Sequence, residues 1–162
     1  MSFRFVALCV TFVAPHAMAE DTSVGREVHL NCPTGTVQRG TQVSKDLGVF
    51  CVKSTGSEKG SPHGPYVDFW ANGQKQAEGQ YKDGFRTGLW TFYDANGVKT
   101  GQTQFEANDY HGQRVQFHPN GAKKMEQTWV KGSREGVEAT YTADGQKVSE
   151  VRYSADKPVV SK

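Results

Sequence analysis

Hydrophobic and polar positions recur along this chain with a period of 24 residues. Gly64, Gly88, Gly112 and Gly136 open successive units, and nine residues after each comes Gly73, Gly97, Gly121 or Gly145. The second glycine follows Asn72, Asn96, Asn120 or Asp144, and two residues beyond it stands Lys75, Lys99, Lys123 or Lys147. Rings keep the same frame at Phe69, Tyr93, Phe117 and Tyr141, and again at Tyr81, Phe105, Trp129 and Tyr153. Such a period marks a stack of supersecondary units, none of which can bury its apolar face alone. Short alternating runs between turn-forming residues predict strand, tight turn, strand, longer turn, so each unit is one β-hairpin. The expected fold is all-β, an array of consecutive antiparallel hairpins in one curved meander sheet.

Side-chain phase selects the tight turn. First strands carry Val67 and Phe69, Thr91 and Tyr93, Val115 and Phe117, and Ala139 and Tyr141 on one parity. Second strands carry Ala77, Gly79 and Tyr81 and their equivalents. A two-residue Asn-Gly loop would put the two sets on opposite faces. A three-residue loop, with glycine left-handed after a type I turn, puts them on one face. Pro119 suits the first central position of that turn. The phase therefore predicts three-residue loops and a shared core face, with Phe69, Tyr93, Phe117 and Tyr141 in register. Each hairpin-tip lysine either lies over a nearby ring, Lys99 on Tyr93 for example, or stands in solvent.

Tyr81-Lys82-Asp83-Gly84 through Gly88, and Trp129-Val130-Lys131-Gly132 through Gly136, resemble the Y-x-x-G-x-x-x-G core of MORN repeats. With the added Asn-Gly strand the unit is similar to the bacterial MORN-repeat variants of the YwqK antitoxin-like family, of the exported two-cysteine type. The resemblance covers roughly Gly64 to Pro158. It implies a hairpin array used for protein or membrane-lipid contact. Asn108 and Asp156 stand where the turn glycine is expected, so the second and fourth units depart from the pattern.

Ahead of the repeats, Met1 to Arg4 is followed by an apolar run to Ala14 and by Ala17-Met18-Ala19, which reads as an export signal cleaved after Ala19. The run is too short to span a membrane. Cys9 lies inside the signal, and Leu8 before it is a poor fit to a lipid-anchor site. Cys32 and Cys51 then remain as an even pair for an oxidising periplasmic or secreted setting, where a disulfide is the default. Closing that 19-residue loop stabilises the fold by roughly 3 kcal/mol. The expected organisation is a signal at 1–19, a disulfide-clipped cap at 20–63 shielding the edge strand, units at 64–87, 88–111, 112–135 and 136–158, and a tail at 159–162.

Composition narrows the function. The chain is 162 residues long, 36% hydrophobic, with 18 glycines and a formal charge of +2 spread through mixed acids and bases. No basic stripe follows a phosphate backbone, so nucleic acid is not expected as a partner. No nucleophile-elbow, P-loop, dinucleotide or zinc-protease pattern occurs, and Asp83, Asp94, Asp144 and Asp156 read as turn-formers. His63 and His111 precede unit-opening glycines, His118 sits by a hairpin tip and His29 lies in the cap, all read as turn or surface histidines. The expectation is a protein without catalytic residues, metal or cofactor.

The parity opposite the core carries the candidate site. In units three and four it holds polar residues such as Arg114, Gln116, Glu138 and Thr140, as a solvated face should. In units one and two it holds Tyr66, Trp70, Trp90 and Phe92. Clustered rings of this kind mark contact surfaces. The expected binding patch is those four, for a protein partner or a second copy of the chain. Glycan or lipid binding is the rival reading, antitoxin-like inhibition the third. The alternative is that the cap folds back and buries them.

Overall fold

A computed structural model describes residues 26–40 and 48–159, and the leader read at 1–19 lies outside them. Every element in this range is a strand: β1 (Thr36–Arg39), β2 (Val49–Lys53), β3 (Pro62–Phe69), β4 (Lys75–Lys82), β5 (Phe85–Tyr93), β6 (Lys99–Glu106), β7 (Asp109–Phe117), β8 (Lys123–Val130), β9 (Ser133–Arg134), β10 (Gly136–Tyr141), β11 (Lys147–Ser154) and β12 (Lys157–Pro158). They form one antiparallel sheet in which chain neighbours pair, with β9 set beside β8 where Glu135 interrupts the strand. The all-β hairpin array is thus present.

The tips of the four hairpins share one geometry. In the first, Trp70 N–H donates to Gln74 O at 2.8 Å, Gly73 N–H donates to Trp70 O at 2.8 Å, and Gly73 has φ 80°. The same bonds recur at Asp94–Val98, His118–Ala122 and Thr142–Gln146. This is the three-residue loop read from the phase, a type I turn closed by a left-handed glycine.

Sharing of one face by the two strand sets fails, for a reason further down the hairpin. Phe69 pairs with Lys75, but Asp68 pairs with Ala77 and Val67 with Glu78, so the ladder steps over Gln76. Thr100, Lys124 and Val148 are stepped over in the same way. A bulge of one residue reverses the alternation beyond it. Tyr66 consequently lies opposite Gly79, and Gly64 opposite Tyr81. The second-strand rings share a face with Tyr66 and Trp90, not with Val67 and Phe69.

The other face carries a continuous row across eight strands: Val67, Glu78, Thr91, Gln102, Val115, Glu126, Ala139 and Glu150. Phe69, Tyr93, Phe117 and Tyr141 follow on this face in register. The tip lysines reach forward by one unit. Lys75 lies over Tyr93, 5.7 Å from its centroid, and Lys99 lies over Phe117 at 4.2 Å, so Lys99 sits over the next unit's ring and not over Tyr93. Glu78 accepts from Lys75 at 2.7 Å and from the Tyr93 hydroxyl, and Glu126 accepts from Lys123 at 2.9 Å and from the Tyr141 hydroxyl. In unit two Gln102 stands at the acid's position and donates to Thr91 Oγ1 at 3.2 Å, and the ring is Phe117, which has no hydroxyl to place.

Between hairpins the chain reverses in two residues that both adopt positive φ: Asp83-Gly84, Ala107-Asn108, Lys131-Gly132 and Ala155-Asp156. Asn108 and Asp156 therefore keep the turn that glycine makes elsewhere. Their side chains add a bond that glycine cannot: Asn108 Oδ1 accepts from Arg86 N–H at 2.7 Å, and Asp156 Oδ1 accepts from Arg134 N–H at 2.9 Å.

At the N-terminal end β1 and β2 extend the sheet, and Cys32 is bonded to Cys51 with Cα atoms 5.6 Å apart. The Gln38 side chain donates to Val28 O and accepts from Leu30 N–H, which holds that segment beside β1. Val28 and Leu30 pack on a buried cluster of Val49, Val67 and Phe69. Val28 and Leu30 thus cover the Val67 face, while Phe50 packs beside Tyr66 on the other.

Candidate binding surface

Because the bulges send the second-strand rings to the Trp90 face, that face carries an unbroken row of aromatic contacts. Phe50 meets Tyr66 at 5.9 Å between centroids, Tyr66 meets Trp90 at 5.4 Å, and Trp90 meets Phe105 at 6.1 Å. Phe105 continues to Tyr110 at 5.2 Å, and Tyr110 to Trp129 at 5.1 Å. Most pairs beyond Trp90 are edge-to-face, the arrangement that ring quadrupoles favour. Guanidinium groups are laid on the rings. Arg86 is 5.3 Å from both Trp90 and Phe105, Arg114 is 5.5 Å from Tyr110, and Arg134 is 4.1 Å from Tyr153.

Trp90 is the centre of this row and is only 3% exposed. Gly79 makes room for it: a Cβ there would come within 2.3 Å of the indole. Tyr81 closes one side at 5.2 Å, and the indole N–H donates to Gln80 O at 3.2 Å. Its burial is thus the work of the sheet's own side chains. Tyr66 and Phe92 are half-buried beside it, and Phe92 is 6.5 Å from Trp90 between centroids. Burial, reinforced by Asp68, pushes the Tyr66 hydroxyl up to about 12. Trp70 stands apart from these three at a hairpin tip, its indole N–H donating to Tyr93 O at 3.0 Å.

The structure brings Tyr66, Trp90 and Phe92 together and adds Tyr81, Phe105, Tyr110 and Trp129, with the three arginines. Sequence reasoning missed Tyr81, Phe105 and Trp129 because it assigned the second-strand rings to the other face, and it placed Arg114 on this face only as a solvated residue. The signal was available in the frame itself, since Arg86, Tyr110 and Arg134 are also spaced by 24.

A chain of polar groups running from exposed Asp156 to buried Gln127 sets the charge of the surface. Arg134 is paired with Glu138 at 3.6 Å and Asp156 at 3.4 Å. Glu138 accepts from the Gln127 amide, and Gln127 Oε1 accepts from Trp129 Nε1 at 3.1 Å and Arg114 at 3.2 Å. Among the described ion pairs neither Arg86 nor Arg114 has a carboxylate partner.

The histidines sit in local bonds. His63 and His111 place Nδ1 3.0 Å from Asp83 and 3.1 Å from Glu106, and His118 Nε2 is 2.9 Å from Tyr141 O. His29 lies 3.6 Å from Glu27. Among the described residues no group of three or more histidine, cysteine or acidic side chains converges as a metal site would require. No helix in the described range is long and apolar enough to cross a membrane.

No curated protein matches the chain. Among solved structures it is similar to a chain of the Glycosylation Associate Protein (Gap123) complex from Streptococcus agalactiae, with 16% identity and a TM-score of 0.41. That alignment covers 72% of this chain and 21% of the other, so the chain spans about a fifth of its neighbour's length. Residues 62–83 and 86–107, each one hairpin and offset by the same period, match the MORN repeat variant family, and these two stretches of the chain are repeats of that kind.

Proposed function

We propose that the chain is a non-catalytic binding or assembly module of the bacterial cell envelope that engages a protein partner through the Trp90 face of its hairpin array. The observation that carries this reading is the aromatic and arginine row, which lies on the face opposite the one that Val28 and Leu30 pack against. Tyr, Trp and Arg are the residues over-represented where binding energy concentrates. Within the patch, Tyr66 and Phe92 supply contact area, Trp90 sets their positions from below, and Trp70 borders the tip. The Cys32–Cys51 bond supports an oxidising, exported setting, consistent with a leader removed after Ala19.

Capture from envelope fractions tests the reading. Phe92→Ala should weaken capture by about 30-fold, equivalent to about 2 kcal/mol, whereas Phe117→Ala on the opposite face should leave it unchanged. Equal capture by both variants, or loss with Phe117→Ala alone, would overturn it.

A further inference from the structure

The positions equivalent to Gly101 in the other units are Ala77, Met125 and Ser149, so this position alone lacks a side chain. A Cβ built there would meet no side chain within 4 Å and only one backbone atom, Val115 O, at 3.1 Å. Around it Phe92, Thr103, Tyr110, Arg114 and Gln116 form a depression of about 310 Å³ on the Trp90 face. That volume falls at the lower end of the range that holds small ligands. The walls differ in kind. Phe92 and Tyr110 supply apolar surface, Gln116 and Thr103 supply neutral polar groups, and Arg114 supplies a cation.

Arg114 is oriented but not neutralised. One of its terminal nitrogens donates to Gln127 Oε1 at 3.2 Å, and its guanidinium rests 5.5 Å from the Tyr110 centroid. A guanidinium has five N–H donors in a planar fork, so one bond to an amide leaves the charge and most donors unused. The buried Gln127, 8% exposed, is itself fixed by Trp129 and Glu138. The result is a pre-set fork beside a depression with two aromatic walls, which matches a carboxylate carried on an apolar group.

We infer that the depression at Gly101 is a subsite for an acidic side chain of a protein partner with an apolar neighbour, the carboxylate on Arg114 and the apolar group against Phe92. This inference rests on the reading of the Trp90 face as the contact surface and names what that surface selects. A peptide fits better than a sugar. Stacking of a pyranose needs an open ring face, whereas Tyr110 meets Phe105 at 61° and Trp129 at 75°, and its remaining approach is shared with Arg114.

Amide and arginine-side-chain NMR of the full chain tests this with three probes: N-acetylphenylalanine, its uncharged primary amide, and glucuronate. N-acetylphenylalanine should shift the Gly101 amide and the Arg114 Nε–H in a saturable way at concentrations on the order of millimolar. The uncharged amide should bind at least about ten-fold more weakly, as expected for loss of a charge-assisted pair. Arg114→Gln should abolish the discrimination. Gly101→Met, which installs the residue found at Met125, should abolish both responses without altering charge. Equal response to acid and amide, shifts centred elsewhere, or response to glucuronate alone would overturn the assignment, the last in favour of a sugar. Failure of the pocket is separable from failure of the surface reading. Silent probes with capture still lost in Phe92→Ala defeat the pocket alone, while capture retained in Phe92→Ala defeats the surface reading whatever the probes do.

Discussion

Units one and two and units three and four share a backbone and differ in what fills it. In the first pair Val67, Phe69, Ala77, Trp90, Thr91, Thr103 and Phe105 are buried, whereas in the second only Gln127 and Ala139 are. The same column that holds Tyr66 and Trp90 holds Arg114 and Glu138 further along. Where rings occupy the column the sheet is stabilised by burial; where charges occupy it, polar bonds take over and the surface stays wet. In an array whose units contact only their neighbours, such differences are felt locally. Stability should therefore be concentrated near the disulfide and fall toward β11, whose residues Lys147–Glu150 are all exposed.

The sharpest break of this comparison is Trp90→Ala, expected to cost about 3–5 kcal/mol in urea unfolding, against under about 1 kcal/mol for Glu138→Gln. A cost below about 1 kcal/mol for Trp90→Ala would show that the aromatic row does not carry the first half. At 3% exposed, Trp90 is a buried support of the patch that the sequence placed on the surface, which is why its loss should be felt in the fold.

Replacing Cys32 and Cys51 by serine should cost about 3 kcal/mol. Hydrogen exchange should then rise first in β1 to β3 and leave β10 and β11 as they were. Uniform acceleration across the sheet would mean that the two halves are one cooperative unit. Free-thiol titration of the native protein gives the complementary check, with no reactive thiol expected from this pair.

A smaller effect should come from Asn108→Ala, about 1–2 kcal/mol, because alanine loses the bond to Arg86 N–H and strains the left-handed turn. Asn108→Gly should cost less, since glycine makes the same turn at Gly84 and Gly132. If both cost alike, the side-chain bond is what matters and the turn strain is minor.

The smallest expected effects are those of pH on the Val67 face. Burial works against the Glu78 carboxylate, but hydrogen bonds from Lys75 and Tyr93 outweigh it and hold the carboxyl below its ordinary value. Tyr141 and Lys123 do the same for Glu126 against a smaller burial cost. A carboxyl whose folded value is depressed stabilises the fold above its unfolded value of about 4.3, and that contribution disappears as pH falls through the folded value. Thermal stability should therefore decline below about pH 4, less steeply in Glu78→Gln. Tyr93 runs the other way. Burial and Glu78 push its hydroxyl up to about 12, so its contribution is whole below about pH 10 and is lost as pH rises through the folded value. Tyr93→Phe should flatten that alkaline limb, and an unchanged limb would dissociate the ring from the carboxylate.

The hairpins, their three-residue tips and the disulfide were legible because each leaves a mark at fixed spacing: Asn-Gly, Pro119 and the two cysteines. The bulges at Gln76, Thr100, Lys124 and Val148 were not, because these four residues share no chemistry and a bulge is defined by what the partner strand does. That single unseen residue per hairpin moved Tyr81, Phe105 and Trp129 to the face of Trp90. It also explains why the candidate site was read as four residues when the row is longer. Asn108 and Asp156 looked like departures from the pattern, yet both residue types tolerate the left-handed region and can bond locally.

The stepped-over residue gives the sheet something like a reading frame. Deleting Gln76 would leave every downstream strand able to pair, but Tyr81 and all that follows would change sides, and Val67 would face rings meant for Tyr66. Deleting Thr100 as well would restore the phase from β6 onward. Single-residue deletions in second strands should thus behave as suppressible pairs, while gain or loss of a whole 24-residue unit preserves the frame. Such an array can change length by duplication far more readily than it can tolerate the loss of one bulge.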